Sequence, residues 1–342
     1  MTQEHERILV PFGGARSIAF TPTGKLLSIE LQNSDLRLEW KSAWKDTYTD
    51  LLSDMALSPD GETLAVGLEN GNVSLLQVIS GKLLHMLKVT DNFITSVAFS
   101  PDGKKLAVGE TEGIVWLLQV ENGKFSGTPT RHKLAGCEIS SVSFSPKGQY
   151  MAFGTAEGLI EMWDVKTQQP KYIITEYKGK GCRSVSFSRG GQLLVAVMDD
   201  RVVCLQASDG NLVSKWHTST RKTYVAFPPD GDILASGSST SVKLRDVKSG
   251  DLLMLLPILA REVKSVSFSP DGRILAVGAE GPNIVCLLST KNYAHLLDQK
   301  ETYSSPVKVA FSPDGRILVC GEDNGIIQAW YLEGLSDAGQ QD

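Results

Sequence analysis

The sequence predicts an all-β protein in which eight four-stranded sheets are arranged radially around one axis. Three observations support this prediction. A short motif, most often with the turn Ser-Pro-Asp-Gly, recurs eight times at a spacing of about 42 residues. Each copy contains short apolar runs separated by Gly, Asn or Asp turns, as is typical of strands and hairpins. No window keeps the apolar periodicity that a helix of about ten residues would need.

The eight copies align on an apolar residue that ends the first strand of each unit. These residues are Phe20, Leu57, Phe99, Phe144, Phe187, Phe227, Phe268 and Phe311. The copies fill almost the whole chain and leave no room for a linker or a second domain. Residues 1–336 are therefore expected to form a single domain, followed by a polar tail at residues 337–342.

The copy that starts at Ser96 shows why each segment is assigned as it is. Its first strand is SVAF, rich in β-branched and aromatic residues, and the turn SPDG follows. In that turn Pro101 presets φ, Asp102 can cap through its carboxylate, and Gly103 accepts the exit conformation. LAVG and IVWLLQV are the second and third strands, and a weaker fourth strand closes each unit. Since one such unit exposes both faces, it needs neighbours on each side.

These residues resemble the WD-repeat family of β-propellers. The pattern FSPDGxxLAxG, followed by an acid–Gly turn and an apolar strand, recurs over about residues 5–333. Trp163–Asp164 matches the dipeptide that names the family, and Arg245–Asp246 is a partial copy. The Gly–His pair of many family members is absent from the sequence, so we expect apolar packing between blades to provide most of the stability.

The resemblance also implies how the ring closes. The last copy ends after its third strand, so the N-terminal strand at residues 7–10 is expected to pair with residues 326–332. Eight copies then give eight blades. Seven, the commoner number in the family, is the alternative, because the first copy departs most from the motif.

Composition and motifs argue against several classes of function. The 34 basic and 39 acidic residues give a net charge of −5, which speaks against a surface for non-specific nucleic-acid binding. No apolar run approaches the roughly 18 residues of a membrane span, so no membrane partner is expected. The five cysteines show no CxxC spacing and are interpreted as buried free thiols. The charged N-terminus does not look like a signal peptide, and a cytoplasmic location is expected.

No catalytic constellation is apparent either. The sequence contains no GxSxG elbow, P-loop or HExxH motif. The repeated turn aspartates, such as Asp102, are interpreted as capping residues because they occupy the same place in the same turn. The prediction is a protein that is not an enzyme and that needs no cofactor or metal.

The candidate binding residues lie in loops that, in the resembled family, surround the channel on one face and commonly bind partner peptides. Phe93 is the aromatic candidate on this rim, and the others are basic. They are Arg16, Arg131, His132, Lys133, Lys178, Lys180, Arg183, Arg221, Lys222, Arg261, Lys264 and Lys308. Such a set could hold an acidic or phosphorylated protein segment through arginine forks.

Other interpretations stay open at this point. Acidic residues in neighbouring loops, such as Glu69 and Glu112, could simply neutralise the basic set. The long connection at residues 121–138 is either a partner-binding loop or a harmless insertion. The leading hypothesis is a non-catalytic scaffold within a hetero-complex. The alternatives are a binder of anionic ligands or nucleic acid and, third, an enzyme with its site in the channel.

Overall fold

The fold comes from a computed structural model of the chain. It describes residues 17–20, 26–29, 39–134, 137–218, 224–229, 231, 233–258, 260–281, 284–291, 293, 296 and 300–333. Within these ranges every element is a β-strand. Three strands precede the regular array: β1 (Ser17–Phe20), β2 (Leu26–Ile29) and β3 (Glu39–Thr47).

Sixteen consecutive strands form the first four blades. Blade 1 contains β4 (Leu52–Leu57), β5 (Thr63–Leu68), β6 (Asn72–Gln77) and β7 (Leu83–Lys88). Blade 2 contains β8 (Ile94–Phe99), β9 (Lys105–Glu110), β10 (Ile114–Glu121) and β11 (Lys124–Lys133). Blade 3 contains β12 (Ile139–Phe144), β13 (Tyr150–Thr155), β14 (Ile160–Asp164) and β15 (Gln169–Ile174). Blade 4 contains β16 (Cys182–Phe187), β17 (Leu193–Met198), β18 (Arg201–Gln206) and β19 (Leu212–His217).

The remaining strands form three more blades. Blade 5 contains β20 (Tyr224–Ala226), β21 (Ile233–Ser238), β22 (Ser241–Asp246) and β23 (Leu252–Pro257). Blade 6 contains β24 (Glu262–Phe268), β25 (Ile274–Glu280), β26 (Ile284–Ser289) and β27 (Lys300–Glu301). Blade 7 contains β28 (Pro306–Phe311), β29 (Ile317–Glu322) and β30 (Ile326–Glu333), and its fourth strand is β3.

The blades close into a ring around their first strands. In each blade the strands pair antiparallel in chain order, apart from β3 in blade 7. The first strands contact one another in the cycle β4, β8, β12, β16, β20, β24, β28 and back to β4. Because the strands alternate in direction, the turns after the first and third strands lie on one face. The turns after the second and fourth strands lie on the opposite face.

The expectation of eight blades is wrong: the described residues form seven four-stranded sheets. The first copy of the motif yields only the two-stranded sheet β1–β2, with Phe20 opposite Leu26. The next segment, β3, pairs with β30 along its whole length, from Glu39 opposite Glu333 to Thr47 opposite Ile326. The strand β3, which an eighth blade would need, therefore completes the seventh blade.

The closing strand also differs from the one expected. Residues 7–10 lie outside the described residues, and β3 occupies the edge of β30 for which they were predicted. Trp44 in β3 donates its indole N–H to the carbonyl of Val78, at 2.5 Å. The closing strand is therefore bound to blade 1 as well as to blade 7.

The repeated turn has the geometry expected from its sequence. In blade 2 the Ser100 hydroxyl donates to Asp102 Oδ1 at 2.6 Å, and the backbone N–H of Lys104 donates to the same oxygen at 3.1 Å. The hydrogen bond from Ser100 lowers the pKa of Asp102. Gly103 has φ of 69°, in the left-handed region that glycine tolerates. These contacts confirm that the turn aspartate is a capping residue.

A glycine near the end of the second strand lets the next blade approach. A methyl group at Gly109 would lie 2.5 Å from Ile139 Cγ2 of blade 3, and one at Gly67 would lie 2.7 Å from Ile94 Cγ2 of blade 2. At the ring closure, a methyl group at Gly321 of blade 7 would lie 3.0 Å from Leu52 of blade 1. The glycine of LAVG therefore marks contact between blades.

Filling this space should destabilise the ring. We expect Gly109→Ala to lower the free energy of unfolding by about 1–3 kcal/mol, because the new methyl group overlaps Ile139 in a closely packed core. Urea unfolding measures the effect. Gly190→Ala is the matched control, since Gly190 is exposed and its new methyl group meets only the flexible end of Gln192. Equal stability of the two variants would contradict this packing.

The core is divided among the junctions between blades. In the described part of the chain one buried apolar cluster lies between each pair of neighbours. The cluster at the closure joins Leu52 and Met55 of blade 1 to Val319 and Ile327 of blade 7. All five cysteines are buried and form no disulfide with one another, as expected from their spacing, and burial raises their thiol pKa values.

Candidate functional site

A cavity of about 350 Å³ opens at the mouth of the central channel, on the face formed by the turns after the second and fourth strands. Its lining comes from blades 1 to 5. The residues are Ser53, Glu69, Phe93, Ile94, Thr95, Thr111, Glu138, Ser140, Arg183 and Tyr224. A concave site of this kind, at the centre of a ring, is the leading candidate for binding in the described residues.

The channel wall is built by equivalent positions of the first strands. Ser53, Thr95, Ser140 and Arg183 are each the second residue of their strand. The hydroxyl of Ser53 donates to the carbonyl of Gly67 at 3.0 Å, and that of Ser140 donates to Gly154 at the same distance. These polar side chains are thus engaged with the backbone.

Two residues at the rim of the cavity are held in place by backbone hydrogen bonds. Phe93 and Glu138 each stand immediately before a first strand. The carbonyl of Phe93 accepts from the N–H of Thr111 at 3.1 Å, and that of Glu138 accepts from Ala156 at 2.9 Å. The side chain of Phe93 is nevertheless 55% exposed. The mouth therefore presents an aromatic ring on a fixed backbone, and exposed aromatic side chains are common anchors in protein interfaces.

Most of the basic residues near the channel form ion pairs. Arg183 Nε lies 2.7 Å from Asp199 Oδ1, and Lys180 Nζ lies 3.3 Å from Asp200 Oδ2. Three further pairs involve two lysines of the first strands. Lys264 lies 2.7 Å from both Glu262 and Glu280, and Lys308 lies 2.6 Å from Asp54.

The carboxylates that line the cavity are not neutralised in this way. Neither Glu69 nor Glu138 has a cation within ion-pair distance among the described residues. Burial raises the pKa of Tyr224 in the channel wall, so its hydroxyl remains protonated at neutral pH. The cavity thus combines unpaired negative charge, an aromatic ring and hydroxyl groups.

Nine of the twelve predicted basic residues fall into three groups. Lys180, Arg183, Lys264 and Lys308 form the ion pairs described above, and Arg183 lines the cavity. Lys178 and Arg261 are exposed on connections between blades. Arg16, Arg221 and Lys222 lie outside the described residues.

Arg131, His132 and Lys133 lie in a strand and not in a loop. The connection predicted at residues 121–138 consists largely of the ten-residue strand β11, paired with β10. The guanidinium of Arg131 lies 5.8 Å from the ring centre of Trp116. These three residues therefore belong to the outer strand of blade 2, away from the first strands that line the channel.

His132 packs between blades 2 and 3. Its Nε2 lies 3.1 Å from Oε1 of the buried Glu161, and its ring centre lies 4.9 Å from that of Trp163. Burial lowers the pKa of His132 and raises that of Glu161 to about 7. Desolvation thus disfavours the charged form of both partners.

Glu161→Gln should change how stability depends on pH. The folded pKa of Glu161 lies above its unfolded value, so its protonated form stabilises the fold below about pH 4.5, and this contribution is lost as pH rises to about 7. We therefore expect the unfolding midpoint of the wild type to fall relative to that of Glu161→Gln between about pH 5 and pH 8. Urea unfolding across this range checks the prediction, with the exposed Glu121→Gln as control. Parallel profiles for the wild type and Glu161→Gln would contradict it.

Sequence reasoning named Arg183 but missed Tyr224 and the hydroxyl residues Ser53, Thr95 and Ser140 of the first strands. A usable signal was present for Ser53, Thr95, Ser140 and Arg183, because each lies four residues before the apolar residue that ends its first strand. The second residue of the first strand lies on the channel wall. It is a hydroxyl residue in blades 1, 2 and 3, and Arg183 replaces the hydroxyl residue in blade 4.

In the part of the chain that the structure describes, no three His, Cys, Asp or Glu side chains are grouped so that they could hold a metal ion. The same ranges contain no helix that is long and apolar enough to cross a bilayer.

Comparison with known families gives a consistent assignment. Residues 81–117, 123–164, 210–246, 259–285 and 297–330 match the family described as WD domain, G-beta repeat. These segments cover just over half of the chain. The chain belongs to the WD-repeat family. This confirms the resemblance inferred from the motif.

Parts of the WD-repeat chain also match more specific proteins. Residues 18–92 match the WD40 domain of anaphase-promoting complex subunit 4. Eukaryotic translation initiation factor 3 subunit I from Aspergillus terreus is 35% identical over 104 residues, and so is that from Emericella nidulans. Each match covers 27% of this chain and 29% of the relative, so the similarity is local.

Proposed function

We propose that this WD-repeat protein is a non-catalytic scaffold in a cytoplasmic multiprotein complex, and that partner segments dock at the channel mouth. The observation that supports this most is Phe93, an exposed aromatic side chain on a fixed backbone beside a cavity. The relatives are named as subunits of larger assemblies, which supports a role as a subunit here. A rigid ring provides such a site with little loss of conformational entropy on binding.

The experiment is affinity purification of the tagged full-length chain from its native host, with the co-purifying proteins identified by mass spectrometry. Phe93→Ala should remove or strongly deplete at least one partner. Ile79→Ala is the matched control, because Ile79 is 62% exposed but follows a third strand on the opposite face. An unchanged set of partners for Phe93→Ala would overturn docking at the mouth.

A second candidate is a binder of acidic segments or nucleic acid that uses the predicted basic residues. Lys178 and Arg261 favour it, since both are exposed on connections between blades. Reversing both charges should then weaken binding, and affinity should fall steeply with salt. A flat salt response, with partners retained by the reversed variant, would exclude this candidate.

A further inference from the structure

We propose that the channel mouth binds an arginine side chain of a partner segment, between the ring of Phe93 and the carboxylates of Glu69 and Glu138. This inference rests on the proposed function and adds the chemistry of the partner. It starts from three residues of different turns that line one cavity. Phe93 precedes β8, Glu69 follows β5 and Glu138 precedes β12.

The charge of the cavity favours a cation. Arg183 is the one basic residue lining it in the part of the chain that the structure describes, and Asp199 already neutralises it at 2.7 Å. Glu69 and Glu138 have no such partner there. Carboxylates grouped in a concave site with low-dielectric walls focus a negative potential that attracts a positively charged ligand.

The exposed aromatic ring favours arginine over lysine. A guanidinium group is planar and weakly hydrated, so it can stack on an aromatic ring while it donates hydrogen bonds to carboxylates in its own plane. An ammonium group is a strongly hydrated point charge and cannot combine these contacts in the same way. Phe93 lines the same cavity as the two unpaired carboxylates, and this combination favours the guanidinium.

The size and rigidity of the site fit one inserted side chain. A cavity of about 350 Å³ is at the small end of ligand pockets, which span roughly 300–1,000 Å³. The backbones of Phe93 and Glu138 are fixed by hydrogen bonds to Thr111 and Ala156. Little ordering is needed when the partner enters, so binding energy is retained.

An acidic side chain fits the same cavity poorly. Its attraction to Arg183 would be weak, because Asp199 already accepts a hydrogen bond from Nε of Arg183 and offsets its charge. It would also come close to Glu69 and Glu138, and like charges at short distance repel. The mouth therefore discriminates against acidic segments as well as attracting basic ones.

The test is a selection of short random peptides, displayed on phage, against the full-length chain. A parallel selection uses Glu69→Gln/Glu138→Gln, and the control is Glu62→Gln/Glu121→Gln. Both control residues are exposed on the opposite face, Glu62 in the turn after a first strand and Glu121 at the end of a third strand. All four changes remove a charge from an exposed or half-buried site and keep the shape of the side chain. Thermal unfolding of each variant verifies that it is folded.

We expect the peptides that depend on Glu69 and Glu138 to carry arginine. Replacing that arginine by lysine in a synthetic peptide should weaken binding severalfold, and replacing it by glutamate should weaken it by about tenfold or more. Phe93→Leu should reduce the preference for arginine over lysine while leaving the charge dependence in place. The control pair should bind the same peptides as the wild type.

Three results would overturn the proposal. They are enrichment of acidic or phosphorylated peptides, equal binding to both glutamine pairs, and no peptide that distinguishes the mouth variant from the control. If one of these occurs while Phe93→Ala still depletes a partner in the affinity purification, docking at the mouth stands and the arginine inference alone fails.

Discussion

Trp330→Ala should lower the free energy of unfolding by about 3–5 kcal/mol, the largest effect expected for one side chain of this ring. Trp330 is 1% exposed and lies in β30, the strand that pairs with the closing strand. It packs in the cluster between blades 6 and 7 with Leu287, Val309 and Leu318. Truncation removes a large apolar surface and leaves a cavity that the sheets cannot fill.

Urea unfolding followed by tryptophan fluorescence or circular dichroism measures this loss. Trp330→Phe is the control, and we expect a smaller loss because most of the volume is retained. A change below about 1 kcal/mol for Trp330→Ala would show that β30 is not part of a closed core.

Asp54→Ala should cost about 2–3 kcal/mol of stability, because one carboxylate joins three blades. Asp54 lies in β4 of blade 1. Its Oδ2 accepts from the hydroxyl of Ser96 at 3.0 Å and from the backbone N–H of Val97 at 2.9 Å, both in blade 2. Its Oδ1 accepts from Lys308 Nζ of blade 7 at 2.6 Å. Truncation leaves a buried N–H without its acceptor and a lysine without its counter-charge.

A double-mutant cycle separates the two contributions. Lys308→Met alone should cost about 1 kcal/mol, because Lys308 is partly exposed and Asp54 keeps its partners in blade 2. In the double variant the coupling between the two sites should be about 1 kcal/mol. Additive effects would mean that Lys308 and Asp54 do not interact in solution.

The repeated unit could be predicted from sequence because its determinants are local. Ser100, Asp102 and Gly103 form a turn within a few residues, and their hydrogen bonds depend on nothing distant. The same holds for the alternation of short strands and glycine turns. Serines of the first strands then repeat one contact between blades: the hydroxyl of Ser96 accepts from Val142 N–H at 3.2 Å, and that of Ser265 accepts from Val309 N–H at 3.1 Å.

The number of blades could not be predicted because strand partners at the closure are distant in sequence. The first copy carries the same local turn signal as the others. Whether β3 continues a first blade or completes the last one depends on its pairing with β30, nearly three hundred residues away. Apolar content favoured the wrong segment, since residues 7–10 (RILV) are more apolar than β3 (EWKSAWKDT).

The charge of the candidate site depends on side chains that become neighbours only when the strands pair. Arg183 looks available in the sequence, but Asp199 of the next turn reaches it once β16 and β17 pair. Lys264 is likewise held by Glu262 and Glu280. Phe93 was recognised because it is an aromatic residue next to the start of a predicted first strand.

Site-specific photo-crosslinking in the native host tests most directly whether partners bind at the channel mouth. A benzophenone side chain is placed at Phe93 and, in a parallel strain, at Ile79 on the opposite face, and the crosslinked proteins are identified by mass spectrometry. Our account predicts a defined partner at position 93, crosslinked through a segment that contains arginine, and no such product at position 79. Partner crosslinks at position 79 with none at position 93 would contradict it.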